Sequence, residues 1–171
     1  LAYPDLYEIG LSNLAIPILY DLLNGQPGVL AERVYAPWGD MAQALRAAAT
    51  PLYSLESKHP LKDFDILGFS LGYELTYTNV LNMLDLAGIP LLASERDESC
   101  PLVIAGGGSS VNPEPMSDFI DLFVIGEGEE VALELLESFL SLQGRARAPR
   151  GKLLRGLAHI PGIYVPSLYR V

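Results

Sequence analysis

The chain is short of the residues that build metal centres and disulfides. Cys100 is its one cysteine and His59 and His159 are its two histidines in 171 residues. A lone cysteine excludes an intramolecular disulfide framework and suits a reducing cytoplasm. It also excludes an iron–sulfur cluster held by this chain alone, which takes about four thiolates. The histidines stand far apart and form no metal-binding spacing. Basic residues are scarce too: 11 Lys and Arg against 21 Asp and Glu give a net charge of −10. That balance argues against nucleic acid, whose affinity rests on cationic neutralisation of phosphates, and against an anionic membrane surface. No apolar run approaches the ~20 residues that span a bilayer, and no secretory signal is visible. The chain opens on Leu1 inside an expected strand and reads as a piece of a longer protein.

Apolar material is abundant, at 50% of residues with only 19% charged, enough for one buried core. Short apolar runs alternate with amphipathic segments, the signal for βαβ units around a parallel sheet. Strands are expected at the start of the chain, within Val29–Ala36, at Asp65–Ser70, at Leu102–Ala105 and at Leu122–Ile125, with a short extra one at Leu52–Leu55. Helices are expected over Leu11–Asn24, Met41–Ala49, Leu75–Leu86 and Glu130–Leu142, with a turn or two at Leu153–Leu157. The expected architecture is α/β: a flavodoxin-like (Rossmann-like), doubly wound parallel sheet of five strands flanked by helices. The expected division is a domain over 1–144 and a basic connector and extended arm over 145–171.

Ligands of such sheets bind outside the carboxyl ends of the strands. The candidate site residues sit there: Asp5, Tyr7 and Gly10; Ser70 and Gly72; Gly106, Gly107, Gly108 and Ser109; Gly126, Glu127 and Gly128. Glycine lets a ligand approach the backbone closely, and helix starts offer N–H donors. A phosphate-cradling loop would need G-x-x-x-x-G-K-[ST], and no lysine stands near these glycines. The dinucleotide fingerprint is absent after the first strand. Asp5, Tyr7 and Glu8 do not suit a flavin-phosphate loop, and Ser70 stands where a phosphoacceptor domain would place aspartate.

Three strings are distinctive: Tyr3-Pro4-Asp5-x-Tyr7-Glu8-x-Gly10, Ala31-Glu32-Arg33-Val34-Tyr35-Ala36-Pro37-Trp38, and Tyr73 through Asp85. With Gly106-Gly107, Asn112-Pro113-Glu114-Pro115 and Gly126-Glu127-Gly128-Glu129, they resemble the B12 (cobalamin)-binding-like domain at the N-terminus of radical S-adenosylmethionine (radical SAM) proteins. The resemblance implies that Asp5 and Gly10 match the element that sets up the lower cobalt ligand. It likewise implies that Ser70, Gly106 and Gly107 line a channel for the nucleotide tail. Tyr7 stands where that motif has histidine, so imidazole ligation is lost there and cobalamin would bind without a protein ligand. The resemblance further implies a C-terminal radical SAM domain of the same polypeptide. That domain would carry a 4Fe-4S cluster and S-adenosylmethionine in an iron–sulfur oxidoreductase or transferase, leaving this chain inactive alone. The alternatives are a degenerate docking or substrate-recognition module that has lost its cofactor, and a domain binding another flat ligand.

Overall fold

The computed structural model describes residues 1–143 and 148–169. Its α/β architecture is a six-stranded sheet in the order β2-β1-β3-β4-β5-β6. The strands are β1 (Ala2–Tyr3), β2 (Val34–Tyr35), β3 (Ile66–Ser70), β4 (Leu102–Gly106), β5 (Leu122–Val124) and β6 (Ile163–Tyr164). The first five are mutually parallel and β6 is antiparallel to β5. The order 2-1-3-4-5 of the parallel part is compatible with a flavodoxin-like arrangement. The segment expected to lead out as an extended arm therefore adds a sixth strand, because Ile163 and Tyr164 pair with Val124 and Phe123.

Among the described residues, six α-helices connect and flank the strands: α1 (Tyr7–Gly10), α2 (Ala15–Asn24), α3 (Gly39–Ala47), α4 (Tyr77–Ala87), α5 (Gly128–Gln143) and α6 (Arg150–Leu157). Alternation along β3 and β4 sends Leu67, Phe69, Val103 and Ala105 into a core with Ala42 and Leu45 of α3 and Val80, Met83 and Leu84 of α4. The opposite face carries Leu102, Leu122 and Val124 against Leu135 and Phe139 of α5 and Leu153, Leu154 and Leu157 of α6. Ile16 of α2 packs with Tyr3 and Tyr35.

Two expected strands shrink for local reasons. Only Val34–Tyr35 of 29–36 joins the sheet. Ala31 instead exchanges hydrogen bonds with the Asn24 side chain at 2.9 and 3.1 Å, and the Arg33 carbonyl accepts from Leu55 N–H. The expected strand at 52–55 is reduced to a single bridge between Tyr53 and Pro60. Gly144, expected to close α5, and Arg145 and Arg147 of the basic stretch lie outside the described residues.

The loop at 54–59 folds around Glu32, whose Oε2 accepts from Ser57 N–H (3.3 Å) and Ser57 Oγ (2.7 Å). Burial acts to raise the Glu32 pKa, but hydrogen bonds from Ser54 and Ser57 outweigh it and hold it below its ordinary 4.5. Hydrogen bonds also lower Asp97, from Ser99, and Glu98, from the Arg150 backbone. A carboxyl more acidic in the folded than in the unfolded chain contributes stability above its unfolded pKa and loses it as pH falls through the folded value. These carboxyls are therefore expected to make urea midpoints fall progressively below about pH 5. A midpoint unchanged down to about pH 3 would contradict this account.

Candidate functional site

Because β1 to β5 are parallel, their outgoing loops gather at one edge of the sheet. Direct contacts tie them together there. Tyr73 Oη donates to Asp5 Oδ2 at 2.5 Å, Asn79 Nδ2 donates to the Pro4 carbonyl at 2.9 Å, and Ser109 N–H donates to the Leu71 carbonyl at 3.1 Å. The Asp5 hydrogen bond raises the Tyr73 pKa above its ordinary 10.0, so the phenol stays protonated at neutral pH.

From this edge a cavity of about 560 Å³ runs down one face of the sheet between α2 and α5. Its floor is Ile66, Gly68 and Ser70 of β3, Ile104 and Gly106 of β4, and Val124 of β5. Its walls are Ile16, Leu19 and Leu23 of α2 and Ala132, Leu136, Phe139 and Leu140 of α5. The mouth is formed by Gly107, Gly108, Val111, Gly126, Glu127, Gly128 and Glu129. Strand alternation explains the floor: the bulky Leu67, Phe69 and Val103 point to the far core, leaving Gly68 and Gly106 on this face. A groove of this size with mostly apolar walls and a few polar groups has the character of a small-molecule site.

The structure sorts the sequence-predicted residues into two groups. Ser70, Gly106, Gly107, Gly108, Gly126, Glu127 and Gly128 line the cavity together. Asp5, Tyr7, Gly10, Gly72 and Ser109 are not among its lining residues. Asp5 is almost buried and spends both oxygens internally, Oδ1 on Leu6 N–H and Oδ2 on Tyr73. Tyr7 meets Tyr35 edge-on at 5.2 Å between ring centroids. Gly10 lies under the rings of Tyr35 and Tyr3, where a Cβ would collide with them. Gly72 sits beside Tyr3 Oη, and the Ser109 carbonyl accepts from Tyr77 Oη at 3.4 Å. Gly107 has φ of +104°, and a Cβ there would stand 2.7 Å from the Leu71 carbonyl oxygen.

Sequence reading missed Gly68 and the walls from α2 and α5. The available signal was one glycine inside the most apolar strand, a mark of close approach to its open face. Among the described residues, no three His, Cys, Asp or Glu side chains gather to hold a metal ion. Among the same described residues, no helix is long and apolar enough to cross a membrane.

Fold and cavity define the class: an α/β domain whose small-residue loops open a groove at the carboxyl edge of a mainly parallel sheet. The family described as "Radical SAM proteins, N-terminal" matches residues 15–166, and the chain belongs to that family. An uncharacterized protein of Methanocaldococcus jannaschii is 25% identical over 146 residues, covering 83% of this chain. The chain spans 27% of that relative's length. No solved structure matches the chain.

Proposed function

We propose that this chain is a cobalamin-binding-like N-terminal domain that serves a radical SAM domain of the same polypeptide. It would hold cobalamin, or help recognise substrate, at the carboxyl edge of its sheet. The observation that carries this reading is the cavity, an apolar channel lined by Ser70 and Gly106 on its floor and by Gly107 and Gly108 at its mouth. Those residues fit the uncharged, flat end of a cobalamin nucleotide tail. Ser70 would offer a hydroxyl, and the glycines would let the ligand lie against backbone. No imidazole stands among the lining residues, so cobalt would receive no histidine from this chain. In the parent protein, the 4Fe-4S cluster and S-adenosylmethionine would supply radical chemistry by reductive cleavage.

The full-length parent and this chain, each incubated with hydroxocobalamin and gel-filtered, are both expected to retain the visible corrin absorption. Retention by the parent alone would mean that the other domain completes the site. Two colourless proteins would overturn the cofactor reading.

A second reading, a docking or substrate-recognition module without cofactor, draws on Asp5 and Tyr7. Asp5 is engaged by Tyr73 and Tyr7 packs on Tyr35, so the first motif's side chains serve the fold. The colourless outcome would select it.

A further inference from the structure

The carboxyl edge has a surface chemistry that ligand binding in the channel does not explain. Each of the five outgoing loops exposes large apolar side chains: Tyr7, Trp38, Tyr73, Leu75, Val111 and Ile125. Leu75 is 84% exposed, Val111 72% and Trp38 59%, and none of these three projects into the core. Large exposed apolar side chains gathered at one edge of a domain and rimmed by polar residues mark an interaction face. The rim here is of one sign. Residues 5–14, 36–41, 71–77, 107–116 and 125–130 contain Asp5, Glu8, Asp40, Glu74, Glu114, Glu127, Glu129 and Glu130 and no lysine or arginine. Helix starts account for some of these acids through the macrodipole, but they give no reason for the exposed Trp38 or Leu75.

We propose that this edge is a docking face for a protein surface with an apolar centre and a Lys/Arg rim. Resting on the reading above, that surface belongs to the radical SAM domain of the same polypeptide. Charge complementarity selects a basic rim, because an acidic partner would meet repulsion on every side of the patch. Most of the relative's length lies outside the region matched here, which leaves ample chain to supply the partner. Val111, Glu127 and Glu129 belong both to this face and to the cavity mouth, so docking would also cover the channel entrance.

The test uses the full-length parent, reconstituted with iron and sulfide, carrying Leu75→Cys or Lys62→Cys. Lys62 is exposed just ahead of β3, at the opposite edge. Maleimide labelling of each site is followed by peptide mass spectrometry. Leu75→Cys is expected to label at least about tenfold more slowly than Lys62→Cys. Adding Glu74→Lys with Glu127→Lys is expected to remove most of that protection at low salt. Equal labelling in a parent that carries the cluster would overturn the docking face alone. Protection indifferent to the charge reversals would overturn the basic rim, and protection that vanishes on dilution would assign the face to a second copy. A parent that assembles no four-iron cluster would instead sink the radical SAM reading on which the partner's identity rests.

Discussion

Replacing Asp121 with alanine is expected to destabilise the domain by about 3–5 kcal/mol, the range for removing one partner of a buried ion pair. Asp121 stands immediately before β5 and is 3% exposed. Its Oδ2 accepts from Arg96 Nη1 at 3.0 Å, Arg150 Nη2 at 2.6 Å and Val103 N–H at 2.7 Å. Arg96 is itself buried; its remaining donors reach the Pro90, Leu91 and Phe119 carbonyls. Desolvation lowers the Arg96 pKa, and Asp121 is the main opposing influence. Without the carboxylate, the buried Arg96 guanidinium and the partly buried Arg150 guanidinium would lose the partner they share. The loss is a large fraction of the stability of a small domain, about 5–15 kcal/mol. Urea denaturation followed by far-UV circular dichroism would measure it, with an unchanged slope marking a true loss of stability. A midpoint close to the parent chain's would show that the arginines find other partners.

The same network shows where sequence reading reached its limit. Arg150 belongs to the segment that the sequence marks as a basic connector. In the fold it turns inward to Asp121 and to the Asp97, Cys100 and Pro101 carbonyls. Nothing local announces this, because its partners lie 29 to 53 residues away. By contrast, β3, β4 and β5 were legible from their apolar runs, and α5 from its periodicity. The glycine loops were legible because a run such as Gly106–Gly108 has few uses other than close approach. Their convergence follows from parallel topology, so seven of the named residues fall on one cavity. The Asp5–Tyr73 hydrogen bond, spanning 68 positions, was not legible. The first motif places Asp5 only at the exit of β1, and the folded chain alone shows the aspartate answering to the loop after β3. The cavity was also hidden, since it depends on how far apart α2 and α5 stand, which their periodicity does not specify.

Gly68→Leu is expected to abolish ligand retention while leaving the domain folded, and Gly107→Ala is expected to do the reverse. Both positions line the same cavity, but glycine is there for different reasons. At Gly68 the backbone is ordinary strand, and a Cβ would meet only Ile104 side-chain carbons at 3.4 and 3.6 Å. A leucine there would project into the channel from the middle of its floor and occupy the space a flat ligand needs. The added apolar contact and better strand propensity, worth up to about 1 kcal/mol, would offset the strain of the new side chain. At Gly107 the positive φ is costly for any other residue, and the Leu71 carbonyl blocks the Cβ. Alanine there is expected to lower stability by about 2–4 kcal/mol, combining backbone strain with displacement of the neighbouring loop. Hydroxocobalamin retention by the parent protein and its urea midpoint, measured on both variants, separate the two roles. Retention should drop at least about tenfold in Gly68→Leu with the midpoint little changed. Undiminished retention in a folded Gly68→Leu protein would place the ligand outside the channel. The glycine loop would then be a structural turn, and the exposed carboxyl edge would be the remaining surface for the domain's work.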